Sequence, residues 1–240
     1  MAETEAQAVL ADDPFENVTL PRPPLTTLAE KIRPGRAALI VIDMQNDFCA
    51  EGGMMDHEGA DLAQVQAMAG RLPPLVEAAR AAGVFVVFVR NVYSTDANWY
   101  LSEVWLEQAT RRRGESYTRR PVCESGAWNG DFYGDLRPLP SEPIVTKHRF
   151  DAFLNTDLDL VLRAHRIETI VLTGVATNVC VETTARAGFV RDYYIVLAGD
   201  GTATYSDEEH DAALRTIDKY FGEVVGVDEL IALWRGAAAE

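Results

Sequence analysis

The chain has 240 residues, 48% of them hydrophobic, and a formal net charge of −15. That much apolar material can fill a sizeable core, so a single α/β domain is expected. The acidity argues against a nucleic-acid surface, which needs clustered Lys and Arg. No uncharged apolar run is long enough to span a bilayer, and the acidic start Met-Ala-Glu-Thr-Glu-Ala-Gln is unlike a basic secretory leader, so a soluble, cytoplasmic protein is expected.

Residues 1–36 are acidic and then proline-rich (Pro21, Pro23, Pro24, Pro34). They read as an extended arm that wraps the domain or packs on a partner chain, with the domain proper over 37–240. Residues 37–42, Ala-Ala-Leu-Ile-Val-Ile, form a buried strand that stops at Asp43, a carboxylate with little water around it and in need of a partner. A helix follows over 61–70. Pro73-Pro74 suit the first turn of the next helix, which turns Leu75, Val76, Ala79 and Ala82 inward and stops at Gly83.

Residues 84–89 are the second strand, ending in Arg90-Asn91. From 91 to 143 the chain is irregular and holds Tyr93, Trp99, Tyr100, Trp105, Tyr117, Trp128, Phe132 and Tyr133. A connection of this length points to a lid, a binding loop or an interface. A helix is expected over 104–112, with Arg111-Arg112-Arg113 as a solvated face or a subunit contact. Most of the rings are expected to pack over the sheet; Tyr93, just past a strand end, is the exception.

Residues 144–147 are a short strand that delivers Lys147 at its end, and Thr156-Asp-Leu-Asp159 reads as a capping box before Leu158, Val161 and Leu162. Residues 169–173 are a buried strand closed by Gly174, and a helix runs on from Val181 with Thr177 or Asn178 as its N-cap. After it come a strand over 193–197 and Asp200, read as a cap of the loop Gly201-Thr-Ala-Thr and left out of the site. A capping box, Ser206-Asp-Glu-Glu209, opens a helix carrying Ala213, Leu214, Ile217 and Phe221 and stopped by Gly222. A last strand over 223–227 and a helix capped by Asp228 and reaching Trp234 complete the chain. Six alternations of strand and helix imply a three-layer α/β/α, Rossmann-like fold on a mostly parallel six-stranded sheet.

Ligands of such sheets bind outside the carboxyl ends of the strands. Asp43, Asn91, Lys147, Cys180 and Asp200 all fall at or just past those ends. Cys180 is expected in the first turn of a helix, where free N–H groups and the dipole stabilise a thiolate or an oxyanion. As a set, Asp43 would take the thiol proton, Lys147 would keep Asp43 ionised and lower the thiol pKa, and Cys180 would attack an amide or ureido carbonyl. Singly, Cys180 reads equally as core filling, Asp43 as a buried cap and Lys147 as its ion-pair partner. A dry Asp–Lys pair is costly to keep for stability alone, which favours function. Cys49 and Cys123 are read as structural; three widely spaced cysteines suggest neither a disulfide framework nor a Cys-x-x-Cys site.

Three motifs together resemble the isochorismatase-like cysteine hydrolases, which include nicotinamidases, N-carbamoylsarcosine amidase, biuret hydrolase and ureidoacrylate amidohydrolase: Ala-Leu-Ile-Val-Ile-Asp43-Met-Gln-Asn-Asp-Phe, Lys147 after Ile-Val-Thr, and Thr-Gly-Val-Ala-Thr-Asn-Val-Cys180-Val-Glu. The resemblance runs from about Arg36 to Trp234. It implies a catalytic triad of Asp43, Lys147 and Cys180, a cis peptide at Val175-Ala176, and an oxyanion hole made by the N–H groups of Ala176 and Cys180. Within the family the ureidoacrylate branch is the most similar, through Lys147-His-Arg-Phe-Asp-Ala-Phe-Leu-Asn-Thr156 and through Asn91 followed by Tyr93. This implies that Asn91 and Tyr93 hold the substrate, together with Phe150, which stands in place of a tyrosine.

The implied activity is hydrolysis of a C–N bond in a small ureido or carbamoyl compound through a thioester. The alternatives are an amidase of a simple carboxamide such as nicotinamide or maleamate, and a non-catalytic interaction module. Asp56-His57 lacks the Asp-x-His spacing of metal-binding nicotinamidases, and His57, His148, His165 and His210 are scattered, so neither a metal nor a cofactor is expected. The arginine-rich helix, the aromatic segment and the arm suggest a homo-oligomer.

Overall fold

The run at residues 37–42 becomes β1 (Ala37–Ile42), with every residue buried. The computed structural model describes residues 20, 22–113 and 119–238; Tyr117, residues 1–19 of the arm and the side chains of Arg112 and Arg113 lie outside them. Among the described residues the sheet has six strands, all paired in parallel: β1, β2 (Phe85–Asn91), β3 (Ile144–Lys147), β4 (Thr169–Val175), β5 (Tyr194–Ala203) and β6 (Glu223–Val225). Their order is β3-β2-β1-β4-β5-β6, so the winding reverses between β1 and β4. That boundary is where open α/β sheets leave a crevice for ligands.

In chain order the α-helices described are α1 (Leu28–Lys31), α2 (Asn46–Cys49), α3 (Met54–His57), α4 (Ala63–Ala69), α5 (Leu72–Ala82), α6 (Glu103–Arg113), α7 (Leu158–Ala164), α8 (Glu182–Phe189), α9 (Asp207–Tyr220) and α10 (Val227–Ala237). Side chains alternate between sheet faces, so Leu39 and Val41 pack with Leu72, Leu75 and Val76 of α5 and with Leu230 and Trp234 of α10. Ala38, Ile40 and Ile42 pack on the other face with Leu158 and Leu162 of α7, Ala185 of α8 and Ile217 of α9. Complete burial of each large aliphatic side chain is worth ~1.5–3 kcal/mol, which explains an unbroken apolar run in a strand covered on both sides. A separate cluster of Met54, Tyr93, Ala109, Val122 and Cys123 forms under the irregular segment, with Trp105 packed against it.

Several local expectations change. Gly174 lies inside β4 instead of closing it, at φ +103, and a Cβ there would stand 2.0 Å from Ile42 O. Only glycine lets β4 come this close to β1 in that conformation. β2 extends to Asn91, so Asn91 is held by the sheet and does not start a loop. β5 runs to Ala203, and Asp200 within it accepts the Val227 N–H at 2.7 Å, so it ties down the start of α10 and not its own loop. Asp228 is accordingly in the first turn of α10, whose N-cap is Gly226.

Neither capping box is complete in the expected form. Asp157 is the N-cap of α7, while the Thr156 hydroxyl accepts the Leu158 N–H at 3.2 Å and donates to Ala152 O at 2.5 Å. Ser206 does accept the Glu209 N–H at 3.4 Å, but the Glu209 carboxylate is engaged by Asn178. A full box occurs in the arm, where Thr27 and Glu30 cap α1. The described part of the arm packs on the domain: Ile32 is in the core, its carbonyl accepts the Trp234 indole at 3.0 Å, and Glu168 receives Arg22 and Arg36.

Candidate active site

Four side chains meet where β1, β2, β3 and β4 end. Asp43 follows β1 at φ 53, a left-handed conformation uncommon for a residue with a side chain and tolerated best by Asp and Asn. Its N–H is held by Val89 O at 2.9 Å and its carbonyl by the Gln45 N–H at 2.7 Å. Lys147 is the last residue of β3 and Asn91 the last of β2, paired in register. Cys180 comes from a π-helical turn, Thr177–Val181, between β4 and α8. This replaces the expected first α-helical turn: Ala176 precedes it with no side-chain cap, while Thr177 bonds His210 and Asn178 bonds Glu209. Such wide turns recur at functional sites. The Val175-Ala176 peptide is cis, where the resemblance implies it.

Lys147 Nζ uses all three of its donors. It meets Asp43 Oδ2 at 2.7 Å, Cys180 Sγ at 3.3 Å and Arg149 O at 3.1 Å. The Asn91 amide donates to the same Asp43 oxygen at 2.8 Å and lies 3.9 Å from Sγ. Asp43 Oδ1 accepts none of these bonds. Asp43, Asn91 and Lys147 are all 0% exposed, so charge and hydrogen bonds act here with little screening.

Burial pushes the Cys180 thiol up to about 12; Lys147 pulls it down, and Asp43 adds to the rise. The expected lowering by Lys147 is therefore outweighed by burial. Burial also raises Asp43, against the pull of Lys147. Burial lowers Lys147, but Asp43, and after it Cys180, outweigh that and raise it. Asp43 and Lys147 thus form a buried ion pair in contact with the Cys180 sulfur. Cys49 and Cys123 are also free and buried, and burial raises both thiols.

A cavity of about 450 Å³ opens on Asp43 and Cys180. Tyr93, Phe150 and Ala176 are in its wall; Asn91 stands behind Asp43. Tyr93 and Phe150 are linked through Trp105, with ring centroids at 5.1 and 4.8 Å, and the Arg149 guanidinium lies 5.0 Å over Trp105. Trp99 and Trp128, in the same irregular segment, are exposed. Asp200 is outside the cavity, paired with Arg71 at 2.7 Å. No group of three or more metal-ligating side chains occurs among the described residues.

Sequence reasoning left Gln45, Asp47 and one cavity wall without a role. Gln45 clamps Asn91 from both sides, accepting its N–H at 2.7 Å and donating to its carbonyl at 2.9 Å. Asp47 accepts the N–H groups of Met54 and Cys123, at 2.9 and 2.6 Å, so it docks two loops beside the site. Both are polar residues directly after a buried strand, a signal that was present in the first motif. The wall of Asn178, Thr204 and Glu209 assembles residues 31 positions apart in hydrogen bonding and carries no local signal.

The chain is similar over most of its length to known proteins. The chain is 35% identical over 227 residues to the ureidoacrylate amidohydrolase RutB of Stutzerimonas stutzeri (strain A1501), covering 90% of this chain and 88% of that protein. The crystal structure of a cysteine hydrolase from Pseudomonas syringae pv. phaseolicola 1448A superposes with a TM-score of 0.73 at 29% identity, over 91% of this chain and 100% of that one. N-carbamoylsarcosine amidase from Thermoplasma acidophilum superposes with a TM-score of 0.62 at 25% identity, over 80% and 97%. The Isochorismatase domain matches residues 37–229. With that match spanning most of the chain and its motifs gathered in one buried site, this protein belongs to the isochorismatase family.

Proposed function

We propose that this protein is a cysteine-dependent amidohydrolase that cleaves a C–N bond of a small ureido or carbamoyl compound through a thioester. The observation that carries the reading is the buried contact of Lys147 with both Asp43, at 2.7 Å, and Cys180, at 3.3 Å, on the floor of a cavity. Ureidoacrylate amidohydrolases among the relatives support the ureido class.

With burial pushing the thiol up, attack requires a base, and Asp43 Oδ1 is the unoccupied acceptor. Asp43 takes the thiol proton as Sγ bonds to the carbonyl carbon. Lys147 loses no contact as charge moves from Asp43 to sulfur, since it touches both. The N–H groups of Ala176 and Cys180, whose residues line the cavity, hold the oxyanion. Asp43 then passes its proton to the departing nitrogen, the C–N bond breaks and an acyl thioester remains. Water, deprotonated by Asp43, attacks the thioester; the C–S bond breaks and the thiol recovers a proton. Tyr93 and Phe150 shape the wall beside the scissile group, and Asn91 holds Asp43 in place. A homo-oligomer belongs to the same proposal and is supported by the exposed Trp99 and Val104; light scattering on the full chain tests it.

Ammonia release from ureidoacrylate, biuret, N-carbamoyl amino acids, nicotinamide and maleamate, each beside Cys180→Ala, tests the reaction. Turnover of at least one ureido compound, lost in the variant, is the expected result. Preference for nicotinamide or maleamate replaces the ureido class with a plain amidase, and silence across the panel with the thiol intact rejects the catalytic reading.

A further inference from the structure

We infer that Glu209 makes the active-site cavity selective for neutral or cationic substrates over carboxylates, so that the substrate is an uncharged or amine-bearing ureide or amide and not a ureido acid. This inference rests on the amidohydrolase reading and narrows its substrate class.

Glu209 lies in the cavity wall, and its carboxylate accepts the Asn178 amide at 3.0 Å. Asn178 is itself fixed, because its carbonyl accepts the Thr204 hydroxyl at 2.8 Å and all three residues line the same wall. The carboxylate is thus held at the cavity, on the exposed side of its wall, by neutral partners. It belongs to the first turn of α9 with Asp207 and Glu208, and three carboxylates there outweigh the ~+0.5 charge of a helix N-terminus. The described lining residues of the cavity include no lysine, arginine or histidine. Lys147, behind the wall, has its charge committed to Asp43. An incoming carboxylate therefore meets like charge locally and, at a net charge of −15, over the whole molecule. Ureidoacrylate carries such a carboxylate at neutral pH, so this chain is set to depart from the relatives bearing that name.

Alkylation of Cys180 reads the cavity charge without any turnover. Rates with neutral iodoacetamide and anionic iodoacetate are measured on the full chain by peptide mass spectrometry, and their ratio is divided by that of a small neutral thiol. The expected normalised ratio is on the order of ten, dropping toward one in Glu209→Gln and below one in Glu209→Lys. A wild-type ratio of one or less overturns the inference without needing either variant, and so does a ratio that is the same in all three proteins. In turnover, N-carbamoylglycinamide is expected to exceed N-carbamoylglycine in kcat/KM by a similar factor. Charge-selective alkylation with neither ureide turned over would sink the amidohydrolase reading and leave the selectivity standing. Cys180-dependent turnover that favours the acid would do the reverse.

Discussion

The two ends of the sheet hold hollows of opposite character. At the amino ends of β5 and β6 a space of about 730 Å³ is lined by Tyr194, Tyr220, Phe221 and Glu223. At the carboxyl ends the cavity over Cys180 is smaller, about 450 Å³. The larger one is edged by Lys31 paired with a partly exposed Glu223 and by the exposed Tyr220, groups that water screens. The smaller one has an ion pair without any solvent exposure, set against a thiol and two buried acceptors without partners, Asp43 Oδ1 and Asn91 Oδ1. Volume therefore says little about where chemistry occurs; desolvated charge with open hydrogen-bonding capacity says more.

The sharpest way to break this contrast is to remove one group from each end. Cys180→Ala should lower kcat/KM on the preferred ureide by roughly 10³-fold or more, whereas Tyr220→Ala should stay within about twofold. Comparable losses from both would give the larger hollow a part in the reaction. Stability separates the ends in the same direction. Lys147→Met leaves the Asp43 charge buried and unpaired, at a cost of ~3–5 kcal/mol, while Lys31→Met should cost less than ~1 kcal/mol in urea denaturation.

The pH dependence sharpens the contrast further. Burial raises Cys180 in the folded state from 9.0 to about 12. Its contribution to stability is full below pH 9 and is lost as pH rises from there toward 12, because the unfolded chain releases the thiol proton first. The urea midpoint should fall through that window, and less steeply in Cys180→Ser; an unchanged slope would mean that the folded thiol titrates normally. The smallest effect is expected at Asp200, which sits on β5 but outside the cavity. Asp200→Ala removes the bond to the Val227 N–H and should cost ~1 kcal/mol with kcat unchanged. A fall in kcat would put Asp200 in the site after all.

What could be read from the chain alone was whatever repeats locally. Apolar runs of five or six residues marked β1 and β4, Gly83 marked the end of α5, and a charged or thiol residue after a buried strand marked Asp43, Lys147 and Cys180 as candidates. Family resemblance added the cis bond at Val175-Ala176, which no periodicity signals. Only the tertiary structure decided the remainder. It placed Gly174 inside β4 through its contact with Ile42 and set Cys180 in a wide turn instead of a first helical turn. It made the thiol a poorer acid than its neighbour Lys147 suggested, since the degree of burial depends on every element packed around it. It also turned Glu209 from half of a helix cap into part of the cavity wall, because its partner Asn178 is 31 residues away in the chain. Local pattern follows from backbone geometry and the wish of apolar side chains to leave water. Desolvation and long-range partnering are properties of the folded whole, and this site's chemistry depends on both.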